Sequence, residues 1–180
     1  MIYRIVLTIF LALLNFVELF ACHCQGGTYD SIQKRSLKYA DLVFYGELIN
    51  FDTITYQYSF RIFEIFKGES KEDTIHGKST SSCSLYDFDK GLWIVYATFN
   101  DDSTINISSC GASRSIANPV MMLYPPPPPS ESRGKLSELE KLNIKIFLLE
   151  RNQRATTDWF IELESLRNLK KQVASKLNSP

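Results

Sequence analysis

Residues 56–66 read YQYSFRIFEIF, and this stretch decides the fold class. Its apolar side chains first fall on every second position, at Tyr56, Tyr58, Phe60 and Ile62. That spacing is the period of a β-strand rather than that of an α-helix. Lys67-Gly68 follows as a typical turn, so the stretch predicts a strand that ends there.

Similar apolar runs lie on both sides of this strand. The stronger ones are LVFYGELI at 42–49 and LWIVYATF at 92–99, and weaker ones lie at 73–78 and 104–116. A short helix is predicted over 31–40. Five short strands separated by turn signals predict a mainly β domain, built as a small sandwich or a closed barrel.

The composition excludes several classes of protein. The chain has 180 residues, and its 20 Lys and Arg balance 20 Asp and Glu, so the formal net charge is zero. A general nucleic-acid binder needs a basic excess, so we expect no nucleic-acid partner. A hydrophobic content of 44% argues against intrinsic disorder.

The N-terminal segment has the layout of an export signal. In residues 2–21, a cation at Arg4 precedes an apolar run, and a small residue, Ala21, closes it. A retained membrane anchor is the alternative, which Asn15 and Glu18 disfavour because they interrupt a run already short for a span. We therefore expect an exported protein.

Cleavage after Ala21 makes Cys22 the first mature residue, and two fates are open to it. If Leu19-Phe20-Ala21-Cys22 is a bacterial lipobox, Cys22 is acylated and attaches the protein to the membrane of the cell envelope. Leu19 and Ala21 suit that interpretation, and the bulky Phe20 does not. If an ordinary signal peptidase acts, Cys22 keeps a free α-amine and the protein is secreted.

Composition divides the chain into four parts. We expect a signal peptide at 1–21, a barrel domain at 22–124, a proline-rich linker at 125–134 and a helical extension at 135–180. Pro125 to Pro129 form an uninterrupted run, which favours an extended polyproline II spacer.

The extension has helical periodicity in two stretches. Ser137 and Glu140 form the S-x-x-E pattern of a capping box. Apolar residues recur at steps of three and four, first at Leu139, Leu142, Ile146 and Leu149, and again at Trp159, Leu163, Leu166, Leu169, Val173 and Leu177. These stretches predict two helices joined near 151–157 as a hairpin.

All four cysteines lie in the exported part of the chain, where disulfides persist. Cys22 and Cys24 are too close in sequence to bridge each other, so each must reach Cys83 or Cys110, and both connectivities stay open. A metal site of the Cys22–Cys24 segment with His76 is disfavoured, because C-x-C is not a typical zinc spacing. We expect no cofactor.

Five motifs follow one another along the chain. They are a signal peptide followed at once by C-x-C, YADLVFYG at 39–46, an aromatic strand ending in FKG at 66–68, SSC at 81–83 before GLWIVY at 91–96, and CG at 110–111. In this order they resemble the netrin-like domain of the tissue inhibitors of metalloproteinases, in a short bacterial form. The resemblance implies a five-stranded OB-fold barrel with the disulfides Cys22–Cys83 and Cys24–Cys110.

The resemblance also implies how such a protein acts. In that family the α-amine and carbonyl of the first cysteine chelate the protease's catalytic zinc, and the next residue enters the specificity pocket. By position these roles fall to Cys22 and His23, with Cys24 in the same segment and Ser81 and Ser82 flanking it. The implied partner is a zinc metalloprotease, and the chain holds no metal of its own.

Some features depart from the family. His23 replaces the usual small residue and titrates, and Gln25-Gly26 stand where the animal inhibitors carry proline nearby. The third barrel disulfide and the cysteine-rich C-terminal domain are missing. These departures bear on inhibition rather than on the fold.

We therefore expect an exported, monomeric protein that is not an enzyme, since no nucleophile-plus-base pattern, phosphate loop or catalytic carboxylate pair is present. The first hypothesis is a metalloprotease inhibitor that acts through Cys22. The alternative is a lipid-anchored cell-envelope interaction module with no inhibitory activity. His76 is expected at the surface without a catalytic role.

Overall fold

The computed structural model describes residues 24–119 and 136–177. The predicted signal peptide, the proline-rich linker and residues 22 and 23 lie outside this part of the chain. In chain order the elements are α1 (Tyr29–Tyr39), β1 (Leu42–Phe51), β2 (Gln57–Lys67), β3 (Thr74–Lys78), β4 (Gly91–Phe99), β5 (Ile105–Ile107), β6 (Arg114–Ser115) and α2 (Glu138–Leu177).

Strands β1 to β5 close into a barrel. They pair in the order β1-β2-β3-β5-β4, and β4 returns to pair with β1. All these pairs are antiparallel except β3 with β5, which is parallel. The predicted mainly β class with a five-stranded, OB-type barrel is confirmed. The weak strand expected at 104–116 is divided, because a turn separates β5 from β6, and β6 pairs with β4 outside the ring.

The barrel encloses an aromatic core. Tyr58 and Phe60 of β2 are buried, and the Phe60 ring meets the Trp93 ring edge to face at a centroid distance of 6.0 Å. Gly77 of β3 lies against the Tyr58 ring so closely that a Cβ there would come within 1.9 Å of it. Glycine at this position therefore lets the aromatic ring fill the barrel.

A second apolar cluster lies outside the barrel, where the two helices cover β1 and β4. Its buried members are Ile32, Ala40, Val43, Ile94, Tyr96, Ala112, Trp159, Leu163 and Leu166. The ring of Trp159 packs edge to face on Tyr45, with centroids 5.9 Å apart. Each fully buried large apolar side chain contributes about 1.5–3 kcal/mol, so this cluster fixes the middle of α2 to the barrel.

The predicted helical hairpin is wrong, because α2 is one helix of 40 residues. Its predicted start is confirmed: Ser137 N donates to Glu140 Oε2 at 2.7 Å, and Glu140 N donates to Ser137 Oγ at 3.2 Å. The segment 151–157 holds neither glycine nor proline. The hydroxyls of Thr156 and Thr157 donate to carbonyls one turn earlier, at 2.9 and 3.0 Å. Nothing ends the helix there, so α2 is a single helix with a total length of about 60 Å.

Candidate functional site

A disulfide ties the segment before α1 to the barrel. Cys24 is bonded to Cys110, 86 residues later, which confirms one of the two implied pairings. Arg35 of α1 holds the next residue, since its Nη2 donates to Gln25 O at 2.7 Å and its Nη1 donates to Gln25 Oε1 at 3.3 Å. The chain just after Cys22 is thus anchored to a turn and to a helix.

The loop between β3 and β4 carries the predicted contact residues Ser81 and Ser82, whose side chains are both exposed. Buried Ser84 shapes this loop, because its Oγ accepts from the backbone N–H groups of Thr80 and Ser81 at 3.1 and 3.0 Å. The Tyr86 hydroxyl donates to Ser81 O at 2.8 Å. The backbone at Ser81 is therefore held from two directions.

This loop contacts the turn that contains Cys110. The backbone N–H and the hydroxyl of Ser109 both donate to Cys83 O, at 2.8 and 3.0 Å. Cys83 is itself disulfide-bonded, and its predicted partner, Cys22, lies outside the described residues. The two loops meet because β3 and β5 are parallel neighbours, so the chain leaves both strands at the same end of the barrel.

Three of the five predicted contact residues, Cys24, Ser81 and Ser82, therefore lie at one end of the barrel. A disulfide and hydrogen bonds join the segments that contain them. We call this the cysteine end. The other two, Cys22 and His23, lie outside the described residues, and their roles stay predictions.

An exposed apolar rim adjoins the cysteine end, and the sequence reasoning missed it. The rim consists of Ile54, which is 87% exposed, and of Tyr56 and Tyr86, each 41% exposed. The two tyrosine rings pack edge to face with centroids 4.9 Å apart. The available signal was the presence of Ile54 and Tyr56 in the β1–β2 turn, where small polar residues are usual.

The turn that presents this apolar rim is braced by Asp52. The Asp52 carboxylate accepts from Ile54 N at 2.8 Å, Thr55 N at 3.3 Å and Thr55 Oγ1 at 2.7 Å. These hydrogen bonds, led by the one from the Thr55 hydroxyl, hold the pKa of Asp52 below its usual value. Tyr56 has a φ of 54°, a left-handed conformation uncommon for residues other than glycine. The backbone of the turn thus sets where the Tyr56 ring points.

A cleft of about 200 Å³ lies behind the disulfide, between α1, β4 and β5. Its walls include Gln25, Arg35, Tyr39, Tyr96, Asn106 and Cys110. Asn106 Oδ1 is buried and has no hydrogen-bond partner within the described residues. Ligand pockets usually exceed about 300 Å³, so the cleft has room for one side chain of a partner rather than for a cofactor.

A buried ion pair fastens α2 to the barrel and was not expected from the sequence. The side chains of Arg114 in β6 and Glu162 in α2 are fully buried, with Arg114 Nη2 2.7 Å from Glu162 Oε2. The Tyr29 hydroxyl donates to the same carboxylate oxygen, and the Tyr96 hydroxyl donates to Oε1 at 2.5 Å.

The buried environment changes how this cluster titrates. Burial raises the pKa of Glu162, against the opposing effect of the Arg114 charge. Burial and then the Glu162 charge raise the pKa of Tyr29 and of Tyr96. Since the Arg114 and Glu162 side chains are closed to solvent, the cluster holds the structure together rather than meeting a substrate.

His76 is the other titratable residue that the sequence singled out. His76 lies at the surface as expected, with its Nδ1 hydrogen-bonded to Ser59 Oγ across β2 and β3 at 2.9 Å. Within residues 24–119 and 136–177, no three His, Cys, Asp or Glu side chains are grouped so that they could hold a metal ion. Neither described helix is long and apolar enough to cross a membrane.

Comparison with known proteins does not assign the chain to a family. No protein-family model matches the chain, and no curated protein matches its sequence. The cysteine end and the motifs quoted above are therefore the features of this chain that point to a function.

Proposed function

We propose that the mature protein is an exported inhibitor of zinc metalloproteases that binds its target through the cysteine end. The observation that carries the proposal is the junction of the Cys24–Cys110 disulfide with the loop of Ser81, Ser82 and Cys83. In this proposal Cys22 is the mature N-terminus, and its disulfide to Cys83 is the second bridge. The chain supplies no metal, and the zinc belongs to the protease.

The chemistry needs a neutral amine and a carbonyl held in place. A catalytic zinc keeps one coordination position open for water, and the α-amine and carbonyl oxygen of Cys22 are two donors that could displace that water together. A donor pair that is already rigid loses little conformational entropy on binding. The anchoring of Cys24 to Cys110 and of Gln25 to Arg35 supports such rigidity.

His23 is the residue that would enter the specificity pocket of the protease. The imidazole is larger than the small side chains usual at this position in the animal inhibitors, and it is able to carry a positive charge. We therefore expect selectivity for proteases whose pocket admits a medium-sized polar side chain.

The apolar rim would extend the contact beyond the zinc. Tyrosine side chains are enriched among the residues that dominate binding energy at protein interfaces. The Tyr86 hydroxyl donates a hydrogen bond to Ser81 O, so the apolar rim and the loop of Ser81 and Ser82 form one continuous surface. Such a surface adds apolar contact at the edge of a polar, chelating centre.

The test compares two forms of the oxidised protein against a panel of zinc proteases. One form begins at Cys22, and the matched control carries one added alanine before Cys22. The extension turns the α-amine into an amide and leaves all four cysteines able to pair. We expect the first form to inhibit, more weakly as the pH falls because protonation removes the lone pair of the amine, and the extended form not to inhibit.

Two outcomes would contradict the proposal. One is that the form beginning at Cys22, at micromolar concentration, leaves every protease of the panel active. The other is equal inhibition by both forms, which would exclude the amine as a ligand. The intact mass of the protein from its natural host adds a separate test, because an acylated Cys22 has no chelating amine and would favour the lipid-anchored envelope module.

A further inference from the structure

Helix α2 carries an apolar stripe on the side that faces away from the barrel. We call it the outer stripe; its members are Leu139, Leu142, Ile146, Leu149 and Phe160, which are 67, 52, 45, 61 and 54% exposed. At 3.6 residues per turn they share one side of the helix. Ala155, Trp159 and Leu166, which are buried against the barrel, lie on the opposite side.

The spacing of the outer stripe is that of a coiled coil. Its members fall on two series of seven-residue steps offset by three. The first series holds Leu139, Ile146 and Phe160 and passes through Gln153; the second holds Leu142 and Leu149 and continues at Thr156. These series correspond to the a and d positions of a heptad repeat. The polar Gln153 stands at an a position, where a single polar residue specifies register in paired helices.

We propose that two copies of this chain dimerise by packing their outer stripes together as a parallel helical pair. From 139 to 160 the stripe is about 32 Å long. Because it faces away from the side docked on the barrel, a two-fold axis along the helices places the two barrels on opposite flanks of the pair. The proposal departs from the monomer expected from the sequence.

The charges beside the outer stripe favour the parallel arrangement. In a parallel pair, a residue at position g faces position e of the next heptad on the partner helix. Lys145 is at g and Glu150 is at e, and both are exposed, so each Lys145 would face the partner's Glu150. An antiparallel pair would instead bring g positions to g positions and e positions to e positions, so the contact between Lys145 and Glu150 would not form. Neither residue forms an ion pair with any residue in the described part of the chain.

The area available fits a reversible dimer. Complete burial of the five stripe residues would remove roughly 500 Å² of exposed surface per copy, and specific interfaces need roughly 1,000 Å² in total. The helical pair therefore lies near the lower limit for a specific interface. We expect an association that depends on concentration rather than a permanent dimer.

The test is the oligomeric state of the full oxidised protein, measured by sedimentation velocity over a wide concentration range. The parent protein should approach twice the mass of one chain as the concentration rises. Ile146→Glu places a charge in the stripe and should raise the dimer dissociation constant about tenfold or more. Arg154→Glu, an exposed change off the stripe, is the matched control and should leave the dimer intact.

Charge reversal tests the direction of the pair. Lys145→Glu should weaken the dimer by opposing Glu150 of the partner subunit, and the double variant Lys145→Glu/Glu150→Lys should restore it. A protein that stays monomeric at every concentration overturns the proposal. A dimer that Ile146→Glu abolishes but Lys145→Glu leaves unchanged overturns the parallel arrangement.

Discussion

At the scale of single residues, the pair formed by Arg114 and Glu162 connects the helix to the barrel. A buried ion pair adds little over a well-packed apolar pair, but the loss of one partner leaves an uncompensated charge in the interior. Arg114 Nε and Nη1 have no hydrogen-bond partner within the described residues, so Arg114 depends on Glu162 for its neutralisation. Neither residue could be selected from the sequence, because an isolated arginine or glutamate is usually at the surface.

Replacement of Glu162 by glutamine tests this dependence. We expect the free energy of unfolding to fall by about 3–5 kcal/mol, since Arg114 keeps its charge and loses its counter-ion. Glu164→Gln, an exposed change two residues along α2, is the control and should alter stability by less than about 0.5 kcal/mol. Urea denaturation measures both variants, and similar midpoints for the two would contradict the role given to the pair.

Tyr96 imposes an alkaline limit on stability. Burial and the Glu162 charge raise its pKa above the ordinary value of 10.0. The unfolded chain therefore releases this proton at a lower pH than the folded protein does. The stability that the neutral hydroxyl contributes is complete below pH 10 and is lost progressively above it, by about 1.4 kcal/mol per pH unit.

Tyr96→Phe should remove the part of the pH dependence of the unfolding free energy that Tyr96 contributes. The slope of the unfolding free energy against pH, measured by urea denaturation at several values above pH 10, should become shallower by about 1.4 kcal/mol per unit. Tyr39→Phe, at a position that is 65% exposed in the folded protein, is the matched control for the loss of a tyrosine hydroxyl. An unchanged slope in Tyr96→Phe would mean that Tyr96 titrates alike in both states.

At the scale of elements, the apolar residues of α2 change from one side of the helix to the other, and the helix continues through this change. Up to Leu149 the recurring apolar side chains lie on the exposed side, whereas Trp159, Leu163 and Leu166 lie on the buried side. Because the apolar pattern consists of two separate stretches, the sequence predicted two helices. The backbone of 151–157 has no feature that ends a helix, so one helix presents both faces.

A distance measurement separates the single helix from a hairpin. Spin labels introduced at the exposed positions Asn143 and Lys176 by chemistry that spares the cysteines should lie about 50 Å apart along one helix. A hairpin turning near 151–157 would bring the two labels within about 20 Å of each other. A short distance would contradict the continuous helix, and mixing the labelled protein with a large excess of unlabelled protein excludes contributions between copies.

At the scale of the whole molecule, the closed barrel places distant cysteines beside one another. The parallel pairing of β3 and β5 brings the Cys83 loop to the Cys110 turn. The disulfide from Cys24 then closes a loop spanning 86 residues. Its removal should affect both the stability of the fold and the rigidity of the cysteine end.

The double variant Cys24→Ala/Cys110→Ala measures that contribution. Chain-entropy reasoning for a loop of this length predicts a loss of about 4.5 kcal/mol in unfolding free energy. Urea denaturation checks the loss, and protease inhibition should weaken in the same variant because the segment after Cys22 is released. A loss below about 1 kcal/mol would mean that the Arg35 contacts to Gln25 already hold this segment.

Local pattern by itself determined four strands of the barrel and the start of α2, because alternation, turn residues and a capping box act over a few neighbouring residues. The predicted strands at 42–49, 56–66, 73–78 and 92–99 all correspond to strands of the barrel. The tertiary structure alone decided the meeting of the two cysteine loops, the apolar rim, the burial of Arg114 with Glu162 and the face of α2 left exposed. Each of these depends on contacts between residues far apart in the chain, and such contacts follow from how the barrel closes and where the helix docks, which no local periodicity encodes.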